Sequence, residues 1–339
     1  MEKTKIWIMN HQVAAFFLLA YLITWPGFLL VFFIFPGNQA VEGLSMPCVF
    51  GPALAAMIVA GIADSEPKQA PSKWRWITFL FVWALGSAVQ ILYFMFVHKV
   101  ELIVPIIIIS CVFALLPAWM TSNAFARRPG IRNTFLTLIK SRGSWFWYLV
   151  IFLIFPGFPL VSVLITRLLG NQVPLFQANL GLGGMAAYFI LEFSRGFLMT
   201  GGINEESGWR GFALPRLQSR YSILVSALII WFFWAGWHLP YDFGRGIELR
   251  GILENRLIWN LVISIIISWL YNKTNGSLLA AALFHPAMNT FGNMITVTPV
   301  SQILLVILAA FTILESRMWK KLPKDHPAVW KPLSEGRIP

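Results

Sequence analysis

The sequence predicts an all-α fold, a polytopic transmembrane helical bundle of about 8–10 spans. Three observations carry that expectation. Of 339 residues, 58% are hydrophobic and only 12% are charged, against about 25% charged in a soluble domain. Apolar runs of roughly 18–20 residues recur along the chain, the length that crosses about 30 Å of hydrocarbon. Lys and Arg also collect in alternate connections between those runs, the asymmetry that sets orientation in a bilayer.

Spans are expected near residues 14–35, 46–63, 77–97, 103–121, 145–167, 183–203, 222–240, 257–272, 277–295 and 299–315. The first is too long for a signal-peptide core and lacks a small-residue cleavage pattern, so it reads as a retained span. The second is followed by Lys68, Lys73 and Arg75, and the fourth by Arg127, Arg128, Arg132, Lys140 and Arg142. Arg210, Arg216 and Arg220 follow the sixth; Arg317, Lys320, Lys321 and Lys324 follow the tenth. Simple alternation puts all of these on one side with Lys3 and Lys5, so both termini are predicted cytoplasmic. The opposite connections, 36–45, 98–102, 168–182 and 241–256, hold few or balanced charges. This distribution accounts for the net charge of +12 without nucleic acid, which is not an expected partner. Cys48 and Cys111 lie in apolar surroundings and read as small core hydrophobes. The sixth span is the most polar: it carries Glu192 and Arg195, three apart and expected to pair, and Gly201-Gly202, which can break a helix. Three regions follow: amino-terminal helices over 1–182, a core with the polar motifs over 183–316, and a cytoplasmic surface tail over 317–339 with Pro323, Pro327, Pro332 and Pro339.

Polar residues inside apolar sequence mark the candidate site. Glu205-Glu206-Ser207-Gly208-Trp209-Arg210 follows the glycine pair. A charge at bilayer depth costs on the order of 2.5–3.5 kcal/mol on insertion scales, so such residues are functional candidates by default. On a helix Glu206 and Arg210 are four apart and share a face, so Arg210 neutralises and orients Glu206. Glu205 points about 100° away and is free to enter a cavity, where a desolvated carboxylate suits a general base. The alternative is a structural ion-pair cluster tying helices together. Next, Trp234-Ala235-Gly236-Trp237-His238 puts an aromatic ring and an imidazole on one face, and Pro240 ends or kinks the helix. An interfacial histidine in an aromatic belt has the same pattern. Finally, His285-Pro286-Ala287-Met288-Asn289 aligns two hydrogen-bond donors, which suits an oxyanion hole. Polar glue between helices, continued by Asn293, is the alternative there. Ser207 has no base at fixed spacing, so a serine nucleophile is not expected.

In this order, on three separate apolar segments, Glu-Glu-x-x-x-Arg, aromatic-x-x-x-His and His-x-x-x-Asn resemble the CAAX prenyl protease type II family. That family is also called the CAAX protease and bacteriocin-processing enzymes, or the Abi group of intramembrane proteases. Gly208-Trp209-Arg210-Gly211-Phe212, Leu214-Pro215-Arg216-Leu217 and His238-Leu239-Pro240 extend the match, which covers residues 186–315. Trp234 stands where phenylalanine is commoner. The resemblance implies that 183–316 is a catalytic transmembrane core. Glu205 would activate water with help from His238, and His285 and Asn289 would stabilise the oxyanion. Glu206, Arg210 and Trp234 would support the site. The implied activity is that of an intramembrane endopeptidase without a covalent intermediate. Its partners would be membrane lipids and a membrane-associated or lipidated peptide, such as a prenylated CAAX-type tail.

No cofactor is expected under this reading. The rival enzyme is a zinc protease with Glu205 or Glu206, His238 and His285 as ligands, although no His-Glu-x-x-His helix is present. Non-enzymatic rivals are a proton-coupled transporter and a membrane scaffold or immunity factor. One topological demand remains. Under simple alternation His238 lies near the outer end of its span and Glu205 near the inner end of the preceding one. They meet if the acidic motif is drawn deeper on a helix reaching Leu214, or if the seventh span begins later. Hydrolysis also needs Glu205 within about two hydrogen-bond lengths of at least one imidazole.

Overall fold

The computed structural model describes residues 2–38, 41, 46–63, 66–177 and 180–331. Parts of the connections 36–45 and 168–182, and both Pro332 and Pro339, lie outside these residues. Among the described residues, six helical stretches are long and apolar enough to cross a membrane: Gln12–Ile34, Lys73–Phe96, Val104–Phe125, Trp145–Leu168, Ile223–Gly244 and Leu249–Lys273. The chain is thus an all-α, multi-pass integral membrane protein. The other four expected segments also fold as helices, shorter or more polar: Pro47–Ala63, Gly181–Leu198, Leu278–Met294 and Pro299–Glu315.

In chain order the amino-terminal helices are α1 (Glu2–Asn10), α2 (Gln12–Leu29, continued by a π turn over Leu30–Ile34) and α3 (Gly51–Ala63). Then come α4 (Lys73–Phe96), α5 (Val104–Phe113), α6 (Leu115–Ser122), α7 (Pro129–Ile139) and α8 (Trp145–Leu168). The core begins with α9 (Gly181–Leu198), followed by π-helical turns over Gly202–Glu206 and Trp209–Ala213 and by α10 (Leu214–Gln218). It continues with α11 (Ile223–Trp237), α12 (Leu239–Gly244), α13 (Leu249–Ile252), a π-helical stretch Leu253–Trp259, and α14 (Asn260–Lys273). α15 (Leu278–Met294) and α16 (Pro299–Glu315) complete it. Serine caps start three of these helices: the hydroxyls of Ser144, Ser222 and Ser277 accept from the backbone N–H of Phe146, Val225 and Ala280, each at 3.3 Å. Such caps satisfy donors that a helix start leaves unpaired.

Two features bring the polar motifs together. α9 and α15 run antiparallel in close contact, with Phe189 on Phe291 (ring centroids 5.1 Å) and Gly196 against Pro286, where a methyl would meet the proline Cβ at 2.9 Å. Pro286 has no N–H, so the Ala282 carbonyl one turn earlier has no helical donor. Gly202 fits against that carbonyl; a Cβ there would come within 2.9 Å of it. The glycine pair does break the sixth segment, because Gly201 has φ +117°, a conformation open to glycine. Asn204 caps the second piece: its side-chain oxygen accepts from Gly201 N–H at 2.5 Å, and its amide donates to the Val49 carbonyl at 3.1 Å.

The two motifs do meet, with Glu205 and His238 4.0 Å apart, on a helical segment that reaches past Leu214. Beyond the break the acidic motif is buried and helical through Gln218. Aromatic packing holds it there: Trp209 and Phe212 are fully buried against Phe16 and Phe17 of α2, with ring centroids between 5.3 and 6.1 Å. Gly208 admits α3 so closely that a Cβ would lie 2.6 Å from the Pro52 carbonyl. The segment after α16 is more than a surface tail. Met318 and Ala328 are fully buried, and the carbonyls of Met318 and Lys320 accept from Leu224 N–H (2.8 Å) and Ile223 N–H (3.2 Å) at the start of α11. Trp330 N–H donates to the Pro215 carbonyl at 3.1 Å, and the Arg216 guanidinium lies between the rings of Phe212 (3.6 Å) and Trp330 (4.9 Å). Arg216 is therefore buried under this segment and does not mark an open interface.

Candidate active site

The acidic motif lies on two π-helical turns, a rare geometry that recurs at functional sites. It sends the adjacent glutamates to different partners. Glu206 and Arg210 are both completely buried; the Arg210 Nη1 donates to both Glu206 carboxylate oxygens at 3.1 Å. Arg210 Nη2 reaches the Ser264 hydroxyl at 3.4 Å, and the guanidinium lies 5.0 Å from the Trp234 ring. The other edge of Glu206 takes His285: the ring Nδ1 donates to Glu206 Oε1 at 2.8 Å. His285, Glu206 and Arg210 thus form one sealed row of alternating charge capacity. The remaining nitrogen of His285, Nε2, faces Gly201, where a Cβ would stand 2.9 Å away.

Glu205 turns to α11. Trp234 Nε1–H donates to Glu205 Oε2 at 2.7 Å. The same carboxylate oxygen lies 4.0 Å from His238 Nε2. His238 Nδ1 is 2.8 Å from the Trp234 carbonyl. A carbonyl only accepts, so Nδ1 carries the proton and a neutral His238 presents a lone pair at Nε2. The Trp234 ring stands edge-on to both imidazoles, with centroids 5.7 Å from His238 and 5.5 Å from His285. One tryptophan thereby fixes the carboxylate through its indole N–H and packs edge-to-face with both imidazole rings. Glu205 and His238 keep side-chain exposures of 9% and 15%, while Glu206 and Arg210 have none, so the Glu205–His238 edge is the accessible one.

Asn289 lies one turn beyond His285 on α15. Its side chain is exposed and makes no hydrogen bond among the described residues, so its amide is free to donate. Glu192 and Arg195 pair loosely at 3.9 Å, and the guanidinium stacks 4.5 Å over the Tyr93 ring of α4.

Sequence reasoning missed one pair. Arg256, in the π-helical stretch before α14, makes a two-pronged bond to buried Asp242 of α12, with both contacts at 2.6 Å. Asp242 N–H in turn donates to the His238 carbonyl at 3.0 Å. Arg256 is within electrostatic reach of both Glu205 and His238. The only sequence signal was an acid four residues after His238, inside a connection that counted as balanced in charge.

Among the described residues, no three His, Cys, Asp or Glu side chains are arranged to hold a metal. Glu206 and His285 bind each other, and His238 offers Nε2 alone. What the arrangement can do is hold water. Two acceptors 4.0 Å apart both lie within about 2.8 Å of one water molecule, which donates one hydrogen to each and keeps its lone pairs outward.

Comparison with known proteins finds similarity over the same part of the chain. Residues 189–291 match the family model described as Type II CAAX prenyl endopeptidase Rce1-like. The matched stretch contains all three polar motifs. Over an alignment of 183 residues the chain is 29% identical to CAAX prenyl protease 2 of Methanococcus maripaludis. The match takes in 50% of this chain and 66% of the relative, so the chain covers just under two thirds of the relative's length. By these matches and the three motifs, residues 189–291 are similar to the Rce1-like, type II CAAX prenyl proteases.

Proposed function

We propose that this protein is an intramembrane endopeptidase that hydrolyses a peptide bond in a membrane-associated substrate, of the prenylated CAAX class. The observation that carries this reading is the Glu205–His238 pair, 4.0 Å apart and oriented by Trp234. A water between them donates to both acceptors and attacks the scissile carbonyl as one of them takes its proton. The tetrahedral oxyanion then needs donors. Asn289 supplies its amide. His285 supplies Nε2–H in its doubly protonated form, for which buried Glu206 is the counter-ion and Arg210 the anchor of Glu206. The proton returns from the Glu205–His238 pair to the leaving amine. No enzyme nucleophile is used.

Replacing Glu205 with Gln removes the base and keeps the shape and the Trp234 hydrogen bond. The rate of cleavage of a prenylated fluorogenic peptide is expected to fall about 10²–10⁴-fold, with the variant as thermally stable as the parent. Cleavage at the parental rate by Glu205→Gln would refute the reading, and would leave the scaffold or transporter alternatives. Metal analysis addresses the zinc alternative: one tightly held zinc per chain would favour it over the glutamate mechanism.

We also propose that both termini face the cytoplasm. The basic residues Lys5, Lys68, Arg75 and Arg128 gather at one end of the bundle, as the positive-inside rule favours for the cytoplasmic side. A cysteine in place of Lys3 is expected to resist an impermeant thiol reagent in intact cells and to react after lysis.

A further inference from the structure

Two adjoining cavities, of 670 and 490 Å³, share no residue with the site above. They meet over Gly61, Ile62, Lys68 and Arg128, at the end of α3. Lys5 of α1 closes one side; Arg75, in the first turn of α4, and Arg127 close the other. Glu66 is the carboxylate among these lining residues, so the groove carries a strong cationic excess. The cations are held by neutral groups. Arg128 Nη1 donates to the Gly61 carbonyl, Arg127 Nε donates to the Gln69 carbonyl at 3.1 Å, and Arg75 Nη2 donates to Asn123 Oδ1 at 3.3 Å. These neutral acceptors fix the three guanidinium groups and cancel none of their charge. The walls are apolar: Ile8, Ile58, Ile62 and Trp119, of which Ile58 and Trp119 are exposed. The groove also lies where several spans end, at the start of α4 and just beyond α6.

We infer that this groove binds the phosphate of an anionic lipid headgroup, with the upper acyl chain lying along Ile58 and Trp119. Fixed guanidinium and ammonium groups beside an apolar wall at the end of membrane helices match an amphiphile with a charged head. A free phosphate would use the cations and leave the apolar wall bare. A nucleic acid or acidic peptide would not reach a groove at the depth of a lipid headgroup.

The test uses the full chain in bilayer nanodiscs of phosphatidylcholine alone or with phosphatidylglycerol, followed by native mass spectrometry and thermal unfolding. Phosphatidylglycerol is expected to stay bound and to raise the melting temperature above that in phosphatidylcholine. The exposed pair Lys5→Gln and Lys68→Gln changes no hydrogen bond described above. It is expected to weaken retention of phosphatidylglycerol about fivefold per cation removed without changing the melting temperature in phosphatidylcholine. Arg128→Gln adds a further loss. Equal retention of the two lipids by the parent would overturn the inference. So would the same thermal shift from inorganic phosphate alone, or displacement of phosphatidylglycerol by an RNA oligonucleotide or an acidic peptide. None of these outcomes bears on Glu205-dependent cleavage, so the two proposals stand or fall separately.

Discussion

At the scale of single residues, the site divides a working edge from a structural row. Arg210 is fully buried and its main partner is Glu206. Replacing Arg210 with Met removes the cation paired with buried Glu206 and leaves that carboxylate only its His285 contact, and is expected to cost up to about 3–5 kcal/mol of stability, seen as lost expression or a lowered melting temperature. Glu205→Gln is expected to leave stability within about 1 kcal/mol of the parent, so the two neighbouring positions should separate activity from folding. Trp234 makes a finer test. Phe in its place keeps the ring against both imidazoles and deletes the indole N–H that holds Glu205. A hydrogen bond to a charged group contributes about 1.5–3 kcal/mol, so Trp234→Phe is expected to slow cleavage roughly tenfold or more without unfolding the protein. Much of this was legible in the residues themselves. Four-residue spacing placed Arg210 on Glu206 and Trp234 on His238. It did not reveal the Glu206–His285 bond, the indole donor to Glu205, or the Asp242–Arg256 pair. Each of these joins residues from different helices, and spacing along one helix carries no information about them.

At the scale of elements, the break between α9 and the acidic motif decides where the carboxylates go. Gly201 combines a left-handed backbone with a close approach to His285. Gly201→Ala introduces strain of order 1–3 kcal/mol and a methyl against His285 Nε2. Cleavage is expected to fall further than thermal stability does, which kcat and melting temperature measured on one preparation will show. The helix break was readable from the glycine pair. The π-helical register beyond it was not, because no residue pattern specifies an inserted residue. The segment after α16 was also misjudged in part: its prolines suggest a loose surface strand, yet residues 318–330 dock on α10 and α11. His326 reports on that docking. Partial burial pushes its imidazole below the ordinary value of 6.5, and its Nδ1 accepts from Ala328 N–H at 3.1 Å. A depressed histidine value means the unfolded segment takes up protons first. Docking is therefore complete above about pH 6.5 and weakens as the pH falls below it. Hydrogen exchange at Ala328 should be slower, relative to intrinsic rates, near pH 8 than near pH 5.5, and His326→Gln should flatten that difference.

At the scale of the molecule, composition alone specified a helical membrane bundle, and the ten apolar segments all became helices. Composition did not say which helices build the site. The amino-terminal region resembles the family only as generic membrane helices, yet α2 and α3 wall the candidate site. Tyr21 donates to the Phe233 carbonyl at 2.6 Å, Trp25 to the Trp237 carbonyl at 3.2 Å, and Asn204 to Val49. These bonds go to backbone groups, so the partner's identity leaves no trace in its side chain. The clasp on α11 has a consequence for biogenesis. The helix that ends in His238 has its first two N–H groups satisfied by the Met318 and Lys320 carbonyls, roughly a hundred positions downstream, which at about 5–20 residues per second reach the ribosome exit several seconds later. Until then the newly made helix is open at its start, and the turn that presents Trp234 and His238 waits for the docking of residues 318–320.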